Sequence, residues 1–465
     1  MEIDKNEFKG KKILVHATGM PKEELCFLAK NSSSYIEFML ENNDRSQYPS
    51  FFSGDLIDRQ YHYPTQVIKG NNNKTVKKNG LNAIFFWEKI INDHQTFFLY
   101  DRTNFPFAST EKKSAEILEN IITVLHFLEE KKPFAIFFDC TPHIYDVWIF
   151  ARVAELMGIK ILYTQDSIFP WRYFLLSGLQ KMPNLVKIMG TKISNEITIE
   201  RDYIKSKLKK MTDASPLYIQ LRIKKNKGKI YNIFSDLKRW WKRPDLILNK
   251  YLCFKRYKAL STKNLPEKFI ILFLHYEPER TTLPEGFGFT QQLAAIKALE
   301  LALPNGVKLL VKEHPSTFER LCHWKVRTPG WYNKIISNKI ELVDINIDPY
   351  TLIDKSVATT SITGTVAGET LFRGKPTIIF GAGSSYYTEC EKLHKYTTIE
   401  NLSLFLQNSL KSTNPFDLKE SIMNYTVDRT WSSLTSEVTF EEWRKRDPEI
   451  FHARAAVAFL TEILV

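Results

Sequence analysis

Two short runs hold the residues whose chemistry can be read first. Lys312-Glu313-His314-Pro315 puts a cation, a carboxylate and an imidazole at the carboxyl end of an apolar run, 307–311, that reads as a buried strand. Ser361, Thr363, Gly364 and Thr365 crowd a turn between a β-branched strand, 357–360, and a helix expected over 366–373. Such a turn suits an anion. Backbone N–H groups at a helix start lack internal partners, the helix dipole adds partial positive charge, and Gly364 lets a phosphate approach the backbone. Glu369, five residues past Gly364, is placed to hydrogen-bond sugar hydroxyls. An isolated Gly-Thr turn reads more simply as helix capping. The neighbouring His-Pro run favours a ligand, because open parallel sheets bind ligands at the carboxyl ends of their strands.

A second group of polar residues lies in the first half, in FDCTPHIYD. A strand over 134–138 ends at Asp139, and a helix is expected from about 143 to 157 with Thr141 as cap and Pro142 in its first turn. The i, i+3 spacing then puts His143 and Asp146 on one face. Asp166 follows the next strand, 159–163. An acid near a helix start is also an ordinary partner for the dipole. Acids and a histidine gathered at strand ends point to acid–base or nucleophilic work, with Asp139, Asp146 and His143 all open as the acting group.

The elements that must position these residues alternate strand and helix, the mark of an α/β fold. KILVHA (12–17) reads as a first strand ending at His16, and FIILFL (269–274) opens a second series before HYEPERTT, which contains Glu279 and Thr281. Strands are expected over 82–87 and 96–100, a long helix over 109–130, a helix over 290–303, and strands over 340–343 and 377–380. Tyr387 lies just beyond the glycines that end the last of these. The division expected is 1–262 for an amino-terminal domain, 263–440 for a carboxyl-terminal one, and a helix over 441–465 packing back across both.

The formal charge is +13, and residues 201–260 alone hold 18 basic and 4 acidic side chains, 18 − 4 = +14, so the remainder is close to neutral. A polyanionic partner is expected there. Within KIYNIFSDLKRWWKR the apolar residues recur at helical spacing beside Lys238, Arg239, Lys242 and Arg243, a pattern that fits a lipid headgroup surface as well as a helix packed on its own domain. No RNP, zinc or helix-turn-helix pattern accompanies the charge, so nucleic acid is not an expected partner. Five scattered cysteines without CxxC spacing argue against a disulfide framework or zinc site. The charged start, MEIDKNEFKGKK, is unlike a signal peptide, and no run approaches the roughly 18 apolar residues that span a bilayer. A cytoplasmic protein, peripheral at the inner membrane face, is expected.

HYEPERTTLPEG, LPNGVKLLVKEHP and TTSITGTVAGETLFRGKPTIIFG together resemble the carboxyl-terminal half of bacterial capsule polysaccharide biosynthesis glycosyltransferases, including Kdo transferases that use CMP-Kdo. FDCTPHIYDVWIFARVAELMGIKILY resembles their amino-terminal half, so the likeness spans about 134–383. The resemblance implies a GT-B fold: two Rossmann-like domains facing a central cleft, with the donor nucleotide on the second. It implies that His314 and Pro315 meet the leaving nucleotide's phosphate, with Lys312 and Glu313 beside them. Thr363, Gly364 and Thr365 form the phosphate turn, and Glu369 lies near the ribose. Glu279, Thr281, Asp166 and Tyr387 line the cleft, and His143 and Asp146 match a Pro-His-x-x-Asp pattern. Tyr276-Glu277 stand where the family has a Gln nearby. The implied reaction moves a Kdo-type or other nonulosonic sugar from a CMP-activated donor to a surface polysaccharide or glycolipid. It requires no metal and no cofactor beyond the CMP-sugar co-substrate. A transferase using a UDP- or GDP-sugar or a CDP-polyol would share the fold, and a polyanion-binding protein without catalysis would share the charge.

Overall fold

The computed structural model describes residues 2–16, 28, 31–39, 80–104, 109–169, 171–180, 183–189, 198–208, 244–277, 279–319, 327–381, 392–411, 419–432 and 460–461. The chain divides into two compact units, Met1–Tyr203 with Met423–Val465, and Ile204–Ile422. Each is built on a mostly or wholly parallel sheet with helices between its strands, so the expected pair of Rossmann-like α/β domains is present.

In the first unit β1 (Lys12–His16), β2 (Tyr35–Met39), β3 (Ala135–Phe138) and β4 (Lys160–Asp166) are parallel, and β5 (Arg172–Ser177) runs antiparallel to β4. The order across the sheet is β5-β4-β3-β1-β2. The chain leaves β1 toward β2 and returns on the other side of β1 as β3, so the switch point lies between β1 and β3. Four helices of this unit are α1 (Gly80–Ile91), α2 (His94–Asn104), α3 (Thr110–Lys131) and α4 (Tyr145–Leu156). Residues 82–87 and 96–100 are therefore helical, not strands. Their aromatic content invited the strand reading, but the buried positions Gln95, Thr96, Leu99 and Tyr100 fall on one helical face, and Thr96 Oγ1 accepts the indole N–H of buried Trp148 at 3.1 Å. α3 starts as its sequence dictates, with the Ser109 hydroxyl accepting from Lys112 N.

The division between units falls inside α5 (Thr198–Leu208), well before the expected boundary at 262. The reason is α6 (Pro244–Leu260), which packs Leu246, Ile247, Cys253 and Tyr257 inward and leads into β6 (Ser261–Thr262), an edge strand of the second sheet. That sheet continues with β7 (Phe269–Phe273), β8 (Lys308–Lys312), β9 (Ile340–Val343), β10 (Ala358–Ser361), β11 (Thr377–Ile379) and β12 (Leu393–Lys395). All are parallel, in the order β12-β11-β10-β7-β8-β9-β6. Without β6 this is the doubly wound order of a dinucleotide-binding fold, with its switch point between β7 and β10. Alternate residues of β7 supply both faces. Ile270 and Leu272 join Leu309 and Val311 in one core, and Phe269 and Ile271 join Leu310 and Val343 in the other.

The chain returns to the first unit at residue 423, earlier than the expected 441. α7 (Gln292–Ala302) and α8 (Val366–Phe372) belong to the second unit, while α9 (Lys419–Val427) leads back to β13 (Trp431–Ser432), which pairs antiparallel with β5. The basic run 209–243, Tyr387, and nearly all of the expected 441–465 helix lie outside the described residues. Among the described residues no helix is long and apolar enough to cross a membrane.

The most deeply buried Arg–Glu pair of the first unit, among the described residues, joins Arg172 to Glu200. Arg172 Nε donates to Glu200 Oε1 at 2.7 Å, both side chains are 2 % exposed, and the Trp171 indole donates to the same oxygen at 2.6 Å. Arg172→Met leaves Glu200 a buried charge without its cation, so urea unfolding is expected to show a loss of about 3–5 kcal/mol.

Candidate functional site

The second unit's switch point is occupied by a hydrogen-bonded cluster centred on His275, just past β7. Thr363 N donates to His275 Nε2 at 3.2 Å, and the Ser361 hydroxyl lies 3.0 Å from the same nitrogen. A backbone amide can only donate, so Nε2 is an acceptor and the ring proton sits on Nδ1. From there it faces Thr281 Oγ1 at 3.0 Å, and that hydroxyl donates to Glu279 Oε2 at 2.8 Å. Thr363 Oγ1 donates to Thr281 O at 2.7 Å, tying the 279–282 loop to the 361–365 turn. The buried Gln292 amide holds the backbone of His275 from both sides, accepting from His275 N at 2.8 Å and donating to His275 O at 3.1 Å.

Two glycines are fixed by crowding. A Cβ on Gly364 would lie 2.6 Å from Ser361 Oγ, and one on Gly381 would lie 2.5 Å from Thr363 Cγ2. Gly364 is thus required by the tightness of the turn itself. Its own N–H goes to Ser361 Oγ at 3.1 Å, so the amides of Thr363 and Gly364 are both engaged within the cluster. The amides of Thr365 and Val366, at the start of α8, carry no partner among the described residues. Thr365 is exposed and makes no side-chain cap bond.

The Lys312–Pro315 run divides its work in a way the sequence did not show. Lys312 is buried, with its ammonium on the carbonyls of Asp344 and Ile345, so it is not directed at a ligand as expected. Burial pushes its pKa down to about 8 against the nearby charges of Asp344 and Asp348. Glu313 is also buried, and it anchors the loop. One oxygen accepts from His314 N and Thr317 Oγ1, each at 3.2 Å, and the other accepts from Arg327 Nε at 3.2 Å and Tyr332 OH at 2.9 Å. Arg327 reaches on to Glu277 at 3.3 Å and stacks over Trp331. His314 itself is half-buried, beside Pro315. Ser316 N donates to its Nδ1 at 3.2 Å, which leaves the ring proton on Nε2, a donor. Glu369, expected to face a sugar, is instead paired with Lys207 at 2.8 Å.

In the first unit the switch point holds His16, the last residue of β1, and Asp139, just past β3. His16 Nδ1 lies 3.2 Å from Asp139 Oδ1, with both residues buried, and the Thr164 hydroxyl donates to Asp139 O. The expected His143–Asp146 face does not form as a helix face. α4 begins at Tyr145 with Ile144 as its extended cap residue, so neither Thr141 nor Pro142 starts the helix and His143 precedes it. His143 Nδ1 lies 3.0 Å from Thr141 O and 3.7 Å from Cys140 Sγ. Asp146 is buried in the first turn of α4, and Asp166 is half-buried at the end of β4.

The sequence placed Ser361 in its turn but gave no role to several residues that organise these loops: His16, His275, Gln292 and Arg327. A signal was present for two. The two apolar strands KILVH and FIILF-Leu-His each run into a histidine at the carboxyl end, where a switch-point residue has to lie.

No protein-family model matches the chain, and no curated relative does. Among solved structures it is similar to the KpsC beta Kdo 2,7 transferase of Thermosulfurimonas dismutans, at 11% identity over 77% of this chain and 95% of that one, with a TM-score of 0.32. It is similar to the UDP-GlcNAc 2-epimerase of Methanocaldococcus jannaschii, at 12% identity over 89% and 97%, with a TM-score of 0.25. A third is the spinosyn rhamnosyltransferase SpnG, at 9% identity over 90% and 96%, with a TM-score of 0.25.

Glu279 supplies a test of the cluster. Burial alone would push its carboxyl up, but the hydrogen bond and field of His275, the Thr281 hydroxyl and the nearby His314 outweigh it and hold the pKa at about 2. An unfolded glutamate titrates near ~4.3. The native preference for the ionised form is therefore full above about pH 4.5 and lost as the pH falls toward 2. The gap in thermal midpoint between wild type and Glu279→Gln is expected to narrow over that window, and a constant gap would count against the cluster.

Proposed function

We propose that the chain is a glycosyltransferase that moves a Kdo-type or other nonulosonic sugar from a CMP-activated donor to a surface-glycan or glycolipid acceptor. The observation that carries this reading is the second unit's switch point. There the carboxyl ends of β10, β7 and β8, three adjacent strands, bring the 361–365 turn, the His275 loop and the His314 loop to one edge of a doubly wound sheet. His314 presents a donor at Nε2, and the amides of Thr365 and Val366, without partners among the described residues, are donors past β10, on the other side of β7. These donors suit a phosphate monoester leaving group, whose charge grows as the bond to the anomeric carbon breaks. The motif resemblance to capsule transferases supports CMP as the nucleotide.

In the first unit the His16–Asp139 pair fits the acceptor side. With its Nδ1 proton directed at Asp139, His16 takes the incoming hydroxyl's proton at Nε2, and Asp139 stabilises the imidazolium that forms. The new glycosidic bond forms as the bond to the phosphate oxygen breaks, and CMP leaves with that electron pair. Asp139 is then a positioning acid. Asp146 and His143, the other first-unit candidates, lie in and before the first turn of α4.

A screen of CMP-, UDP- and GDP-sugars read by nucleotide release tests the donor, with CMP release expected. Calorimetric binding of UDP or GDP in place of CMP would overturn the reading. His314→Ala is expected to lower kcat/KM by roughly 10²–10³-fold, the scale of losing one donor to the departing charge. His16→Asn is expected to lower kcat by roughly 10²–10⁴-fold with CMP affinity unchanged.

A further inference from the structure

The outward face of α6 carries a pattern that transfer chemistry does not use. The helix is pinned to its unit by its inner side. Tyr257 OH donates to Val343 O at 2.6 Å and accepts from Glu313 N at 3.1 Å, and Asn249 Nδ2 donates to Arg327 O at 2.8 Å. Those bonds fix its rotation, so the opposite face stays outward. That face shows Leu248, Tyr251 and Leu252 at 57 %, 43 % and 41 % exposure, with Lys255 and Lys258 beside them.

Single exposed apolar residues are ordinary on protein surfaces. Here three lie within five consecutive positions of one helix face. Neither lysine has an acidic partner among the described residues, and the only acid of the helix is Asp245, in its first turn. α6 also forms the carboxyl end of the 201–260 segment, whose charge is +14 (18 − 4).

We propose that this face of α6 docks on an anionic lipid bilayer, with Leu248, Tyr251 and Leu252 entering the headgroup boundary and Lys255 and Lys258 meeting lipid phosphates. An apolar stripe bordered by unpaired cations matches a bilayer surface, which supplies negative charge over an apolar layer and demands no shape complementarity. A protein partner would have to bring matching acids and a fitted pocket. The docking is independent of which nucleotide sugar is used.

The full-length protein is tested by co-sedimentation with phosphatidylcholine vesicles, with and without phosphatidylglycerol. Binding is expected only to the anionic vesicles, and to weaken as salt is raised. Leu248→Ser/Tyr251→Ser/Leu252→Ser and Lys255→Glu/Lys258→Glu are each expected to weaken it by more than roughly tenfold, given about a fivefold effect per basic residue near the surface. Circular dichroism and CMP binding, which these exposed positions should not alter, control for folding. Charge reversal at Lys238, Arg239, Lys242 and Arg243 is run in parallel. Vesicle binding that depends on those four alone, or persists in both α6 variants, overturns the proposal, as does a wild type that ignores anionic vesicles. A dimer in sedimentation velocity that the triple serine variant abolishes would also overturn it, by assigning the face to a second copy of the chain.

Discussion

A backbone N–H can only give a proton, and that constraint decides how both histidines of the second unit behave. Thr363 N donates to His275 Nε2, so the proton of that ring must sit on Nδ1 and run through Thr281 to Glu279. Ser316 N donates to His314 Nδ1, so the proton of that ring must sit on Nε2. One imidazole is thereby committed to building the turn, and the other is set up as a donor. Protonation roles that look like matters of solvent and pH are in this fold imposed by two amides.

The fixed geometry has to be held against desolvation, and Glu313 does this with Arg327. A buried carboxylate is costly unless its lone pairs are filled, and Glu313 fills them with an amide, a hydroxyl, a phenol and a guanidinium. Arg327 passes the link on to Glu277, which also accepts from Gln292, the residue that holds the backbone of His275. The His314 and His275 loops are thus joined beneath the surface by a continuous polar network. Lys312, fastened to two carbonyls past β9, braces the same loop from the other side.

The two units solve the switch point alike and fill it differently. In each, a central strand, β1 or β7, ends at or just before a histidine that bonds across to the strand added on the other side. In the first unit the partner is a carboxylate, Asp139, 3.2 Å from His16 Nδ1. In the second the partners are a hydroxyl and an amide, which hold the 361–364 turn closed on His275.

The sequence alone determined the architecture and where its polar loops fall. Apolar runs such as FIILF and KLLVK fit only strands buried on both faces, and a glycine with small hydroxyl residues fits only a tight turn, so local composition is enough. It could not rank the polar residues inside those loops. Lys312 and Glu369 were legible as charges, but whether a charge meets a ligand or a carbonyl, an ion pair or water depends on chain segments far away in sequence: Asp344 and Ile345 for one, Lys207 for the other. The same holds for the 143–146 segment, where the helix starts at Tyr145 and not at the Thr-Pro signal. Strand order, too, came only with tertiary structure. It places His16 beside Asp139, 123 residues away, and His275 beside Ser361, 86 residues away, because hydrogen-bonded pairing of parallel strands, and not sequence spacing, decides which carboxyl ends become neighbours.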